Sequence, residues 1–161
     1  MHKKKYLIKN DYCLTKLCKK KYKEGITRYF NDLKKIKNST IFITGATGFL
    51  GQYILNYIYF LNKNYKFDIK VHLLVRKIDE SKIKIPTLKN DWIKLIEGDI
   101  RYFKYKNINI SHVIHLAANT NIQDEKFNSE VYDVIVKGTK NLVKFIINNK
   151  IRNIFYLSSG A

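Results

Sequence analysis

The string Thr44-Gly45-Ala46-Thr47-Gly48-Phe49-Leu50-Gly51 constrains this chain more than any other stretch. It follows an apolar run, Thr40-Ile41-Phe42-Ile43, and opens an amphipathic segment from Phe49 to Leu61. Strand, glycine-rich turn and helix in that order bring the bare N–H groups of a helix N-terminus to the carboxyl end of a strand. There the helix dipole favours an anion such as the pyrophosphate of a dinucleotide. The first glycine allows a tight turn, the second lets backbone N–H groups approach the phosphates, and the third lets the helix pack close to the sheet. An ordinary tight turn would need no such flanks.

From Thr40 onward the chain alternates strand and helix patterns. Strands are predicted at Thr40–Thr44, Asp68–Val75, Trp92–Glu97, His112–Ala117 and Arg152–Ser158, with helices at Phe49–Asn62 and Ser129–Asn149. In the second helix Val131, Val134, Ile135, Gly138, Leu142, Phe145 and Ile146 share one face at i, i+3, i+4, i+7 spacing. Runs such as Val113-Ile114-His115-Leu116-Ala117 are apolar throughout, which suits strands covered on both faces. The fold class is therefore α/β: a Rossmann-like doubly wound parallel sheet, ordered 3-2-1-4-5, with the glycine turn at its carboxyl edge. Residues 1–39 read as a basic helical extension beside the first strand, and residues 40–161 as a dinucleotide-binding domain.

The string TGATGFLG resembles the extended short-chain dehydrogenase/reductase family, which includes the NAD-dependent epimerases and dehydratases of nucleotide sugars. The resemblance runs from about Thr40 to Ala161. It implies that Gly45, Thr47, Gly48, Phe49, Leu50 and Gly51 hold the cofactor phosphates. It implies that Asp99, in Gly98-Asp99-Ile100, contacts the adenine while Ile100 packs on the ring. It implies that Leu116, Ala117 and Ala118, in His115-Leu116-Ala117-Ala118-Asn119-Thr120, pass beside the cofactor ribose and phosphates. Ser159, second of the Ser158-Ser159 pair after the fifth strand, matches the residue that hydrogen-bonds the sugar 4-hydroxyl. Lys137-Gly138-Thr139 departs from the family's helix motif, because Ile135 stands where Asn is usual. That departure is similar to the branch of UDP-glucuronate decarboxylases and dTDP-glucose dehydratases.

The second strand ends in Arg76-Lys77, twenty-five residues beyond the last glycine. Cations there suit a ribose 2′-phosphate, hence NADP, whereas an acidic side chain would suit NAD. Asp79 and Glu80 follow closely and keep NAD open. The family's base is the Tyr of Tyr-x-x-x-Lys, which belongs after Ser159. Three such pairs, Tyr12/Lys16, Tyr59/Lys63 and Tyr102/Lys106, all precede the fifth strand, and twelve tyrosines among many lysines supply them by chance. The expectation is a fragment of a longer chain, catalytically silent by itself. Its parent would act on a nucleotide sugar by hydride transfer to NAD or NADP, and a homodimer is compatible with the resemblance. Two other readings stay open: an NADP-dependent thioester or fatty-acyl reductase, which shares TGATGFLG and a basic residue after strand two, and a non-catalytic NAD(P)-binding module.

The formal net charge is +18, and thirteen basic against three acidic side chains fall within residues 1–38. Lysine supplies 27 of the 31 basic residues. Readers of phosphate and base edges favour arginine forks, so no specific nucleic-acid role follows, and solvated lysine surface explains the excess. No stretch approaches the roughly 20 apolar residues of a membrane span, and no secretory leader is read at the N-terminus. Cys13 and Cys18 without nearby histidines make no metal site, and they suit a reducing cytoplasm.

Overall fold

The computed structural model describes residues 16–79, 81, 90–106, 109–117 and 125–158, with side chains placed from 19 and, in the last segment, from 131. Five parallel strands form one sheet: β1 Thr40–Thr44, β2 Lys70–Val75, β3 Ile93–Glu97, β4 His112–His115 and β5 Asn153–Tyr156. Their order is β3-β2-β1-β4-β5, as the alternating pattern predicts. Three long helices stand among the described residues, α1 Lys16–Leu33, α2 Phe49–Tyr65 and α3 Glu125–Asn148, with a short 3-10 turn at Lys34–Ile36. Among the described residues no helix is long and apolar enough to cross a membrane.

Strand parity divides the core in two. Ile41, Ile43, Val71, Leu73 and Val75 face α2 and pack with Leu55, Ile58, Leu61 and Phe67. Phe42, Leu74 and Val113 point the other way and pack with Leu142, Phe145 and Ile146 of α3. At the centre of this second layer the Phe42 and Phe145 rings lie 4.5 Å apart, with Phe103 at 5.6 Å from Phe42. Both faces of β1 and β2 are thus covered, which is why Ile41, Phe42, Ile43, Val71, Leu73 and Leu74 follow one another with little alternation and the polar residues fall mainly at the strand ends, His72 being buried within.

Several boundaries differ from the sequence pattern, β3, β5 and α3 by a few residues at their ends and three others for local reasons that can be named. α2 runs on to Tyr65 and ends at Lys66 in the left-handed conformation (φ 53°). The Asn62 side chain then takes the part of a strand neighbour: its amide donates to the Ile69 carbonyl and its oxygen accepts from the Ile69 N–H, both at 2.9 Å. With Asp68 also at positive φ, β2 begins only at Lys70. β4 stops at His115, because Leu116 and Ala117 leave the ladder to pass beneath the glycine turn.

α1 packs on α2. Tyr22 and Ile26, each 2% exposed, join the α2 core, and the Tyr22 ring meets Tyr53, Tyr57 and Phe60 at 5.2, 5.0 and 5.6 Å. Lys19, Lys20, Lys21 and Lys23 stay exposed to water.

Candidate functional site

At the carboxyl ends of β1, β2 and β4 lies a cleft lined by Gly45, Thr47, Gly48, Arg76, Asp99, Ile100, Leu116 and Ala117 among others. Eight positions singled out in the sequence therefore meet in one place. Gly51 lies buried directly under the turn. Phe49 and Leu50 are exposed, Phe49 by 86%, so their contribution at a helix N-terminus is backbone N–H rather than side chain. Ala118 and Ser159 fall outside the described residues. Of the Tyr-x-x-x-Lys pairs, Tyr12/Lys16 lies partly outside them. Tyr59/Lys63 is a solvent-facing pair on α2, with Lys63 Nζ 3.2 Å from the Tyr59 hydroxyl, and neither it nor Tyr102/Lys106 lines the cleft.

The three glycines have different reasons to be glycine. Gly45 sits at φ +72°, and a Cβ there would stand 2.5 Å from the Leu116 carbonyl carbon. A Cβ on Gly51 would stand 2.4 Å from Ala46 Cα. Both are demanded by the chain's own backbone. Gly48 has an ordinary φ of −76°. Its Cβ would meet one protein atom, the Gly45 oxygen at 3.3 Å. That contact is tight by a few tenths of an ångström, so the protein's packing asks far less of position 48 than of 45 or 51, and the position faces the cleft as the N-cap of α2 with no side-chain capping bond. The space left by its missing side chain opens to the cleft.

Beneath the turn a buried polar link ties β1 to β4. Thr44 Oγ1 lies 2.6 Å from His115 Nδ1 and accepts from the Ala117 N–H at 3.4 Å. Burial pushes His115 below the usual histidine value, so its ring is neutral at neutral pH. The ring also lies against Tyr156 of β5, 5.2 Å between centroids.

On the far side of the cleft, Asp99 and Arg101 form a fork. The Arg101 backbone N–H donates to Asp99 Oδ1 at 2.8 Å, its Nε to the same oxygen at 2.9 Å, and its terminal nitrogen to Oδ2 at 2.7 Å. These bonds hold the Asp99 carboxyl below the usual range; the charge of Arg76 adds to the effect. Asn141 of α3 straps the loop in place, donating to the carbonyls of Ile100 and Phe103 at 3.0 and 3.1 Å. Thr44, Leu74, Val75, Gly98, Arg101 and Val134 complete the lining. Of these, Arg101 is the charged residue that the sequence reading passed over, and an acid followed two residues later by arginine was the available signal. Ile135, the departure from the helix motif, faces away from this cleft, into a groove shared with Tyr156. Among the described residues no cluster of three or more metal-ligating side chains occurs.

Comparison with known proteins bears on the family and the fold. The model of the 3-beta hydroxysteroid dehydrogenase/isomerase family matches residues 42–161. UDP-glucose 4-epimerase of Rickettsia rickettsii (strain Sheila Smith) is 30% identical over 129 residues, covering 76% of this chain and 37% of the relative. A probable polyketide synthase 44 of Dictyostelium discoideum is 28% identical over 143 residues, 4% of its own length. Among solved structures, the epimerase Mth375 of Methanothermobacter thermautotrophicus shares the fold with a TM-score of 0.63 at 22% identity, over 84% of this chain and 39% of that one. The chain thus spans little more than a third of the length of the epimerases it matches.

Proposed function

This chain belongs to the 3-beta hydroxysteroid dehydrogenase/isomerase family, and on that premise we propose that its cleft binds the dinucleotide of a nucleotide-sugar epimerase or dehydratase, NADP in preference to NAD. The observation that carries the reading is Gly48: a cradle that a Cβ would fill, at the N-terminus of a 17-residue helix with no acidic residue in its first turn. Pyrophosphate oxygens there would accept from the free N–H groups of the first turn, favoured by the helix dipole. Ile100 and Val134 offer an apolar wall for a base, and Arg76 a cation at the cleft mouth. Once bound, the cofactor would supply hydride exchange. The chain's part is to hold the phosphates, keep the Leu116–Ala117 backbone alongside them and orient the dinucleotide along the sheet's carboxyl edge. Ser159 is assigned to the sugar 4-hydroxyl, and Ala118 to the wall beside the ribose. The usual Asn replaced by Ile135 supports the decarboxylase and dehydratase branch. A cytoplasmic protein that meets its sugar nucleotide there, as a monomer or homodimer, completes the proposal.

A second reading, an NADP-dependent thioester reductase domain within a multidomain synthase, is favoured by the polyketide synthase match and by Arg76.

Calorimetric titration with NADPH, NADH and UDP-glucose tests the first reading. Saturable NADPH binding, strengthened when UDP-glucose is present, supports it. No binding of either dinucleotide overturns it. Oxidation of NADPH driven by an acyl thioester would move the assignment to the second reading.

A further inference from the structure

Among the described residues, three side chains of formal charge line the cleft: Arg76, Asp99 and Arg101. A 2′-phosphate is the feature by which NADP differs from NAD, and it is a dianion in search of cations. Left to itself, the Asp99 carboxylate would work against it twice, by repelling the phosphate and by competing for the nearby Arg76 guanidinium. The fork prevents both. Arg101 occupies Asp99 Oδ1 with two donors and Oδ2 with a third, all at 2.7–2.9 Å. The pair is largely withdrawn from water, at 20% and 30% side-chain exposure, so the neutralisation is little screened. Its place is fixed from α3 through the two Asn141 bonds.

We infer that Arg101 is a specificity-determining residue that acts through Asp99: by engaging the carboxylate it reserves the Arg76 charge for the cofactor's 2′-phosphate, and so sets the preference for NADP over NAD. The inference rests on the dinucleotide reading of the cleft. It differs from an anchoring role in one respect. An anchor lost would weaken both dinucleotides alike, whereas here the ratio of affinities must change.

The test is calorimetric titration of NADPH and NADH into the 161-residue chain, into Arg101→Gln, Asp99→Asn and the double variant, with thermal melts alongside. In Arg101→Gln the released carboxylate turns to Arg76, and the NADPH-to-NADH affinity ratio is expected to fall roughly tenfold, the order expected for one unit charge in a half-buried site. Adding Asp99→Asn to that variant restores the ratio. Asp99→Asn alone raises it, because both arginines then face the phosphate; this variant decides the matter if Arg101→Gln does not fold. A parent chain that binds both dinucleotides while Arg101→Gln lowers them equally overturns the inference and leaves the dinucleotide site standing. So does an unchanged ratio in Asp99→Asn. A parent chain that binds neither overturns the site itself, and the inference with it.

Discussion

Phe42 and Phe155 are both aromatic residues in apolar stretches on parallel strands of one sheet, two strands apart. Phe42 is fully buried, wedged between Phe103 and Phe145; Phe155 is 55% exposed, and all four residues of β5 stand open to solvent. The difference lies in what covers them. β1 is flanked by two strands and roofed by α2 and α3, whereas β5, among the described residues, pairs only with β4. Beside β5, the outer face of α3 presents Ile135, Val143 and Ile147, all exposed. Where Ile135, Thr139 and Val143 approach Tyr156, Thr139 Oγ1 is buried with no hydrogen-bond partner among the described residues. Apolar sequence therefore marks where a strand is designed to be covered, and only the packed neighbours show whether these residues cover it. The glycine turn sits at the finished end of this contrast.

The largest effect should come from the covered side. Phe42→Ala removes the ring at the centre of the α3 layer and should cost about 3–5 kcal/mol, the range for emptying a packed aromatic site; urea unfolding measures it. A loss under about 1 kcal/mol would mean that β1 is no better packed than β5.

Gly51→Ala places a Cβ against backbone that cannot yield. It should cost roughly 2–3 kcal/mol through overpacking and a displaced turn, read from the same unfolding curves. A neutral result would show that the turn is loose.

pH sharpens the comparison at the seam between the two regions, where His115 touches Thr44 of β1 and Tyr156 of β5. Burial depresses His115, and likewise His72 and His112, below the ordinary 6.5. For a base depressed on folding, the unfolded chain takes up the proton first. Stability is therefore intact above pH 6.5 and declines as pH falls below it, toward the folded values. The unfolding free energy from urea titration should be lower at pH 5.5 than at 7.5, by up to about 1.4 kcal/mol per pH unit for each histidine fully uncharged in the fold, and the urea midpoint should fall with it. His115→Gln should remove part of that slope. An unchanged midpoint would contradict the burial argument.

The smallest effect on stability should come from Phe155→Thr. Exposed positions shift folding by about 0.5 kcal/mol or less, while self-association at high concentration, followed by light scattering, should decrease because an apolar strand edge is lost. Destabilisation comparable to Phe42→Ala would show that β5 is covered after all.

Much of this was legible beforehand because it follows from local pattern. The alternation of apolar runs and amphipathic segments yields the strand order, and the glycine string yields the turn that lines the cleft: Gly51 answers a clash with the turn five residues back, while Gly45 adds to its positive φ a close approach to Leu116 that only the fold reveals. What escaped is long-range or orientational. The Thr44–His115 bond joins residues 71 apart, and the Asn141 strap reaches 38 and 41 residues back; no periodicity encodes such pairings. α1 carries the right apolar residues, but its seat on α2 is decided by the tyrosines it meets there. Ile135 stood in a motif position, yet its face of α3 turns to Tyr156 rather than to the cleft.

The central claim is that Gly48 is kept open for a ligand while Gly45 and Gly51 are kept open for the protein. Gly48→Ala tests it most directly, with thermal melting and NADPH titration performed on the same sample. The account expects a melting temperature within about 2 °C of the parent, a shift well under 1 kcal/mol, together with at least a roughly tenfold loss of NADPH affinity as the new methyl displaces the pyrophosphate from the helix N-terminus. Undiminished NADPH binding in that variant would contradict the account.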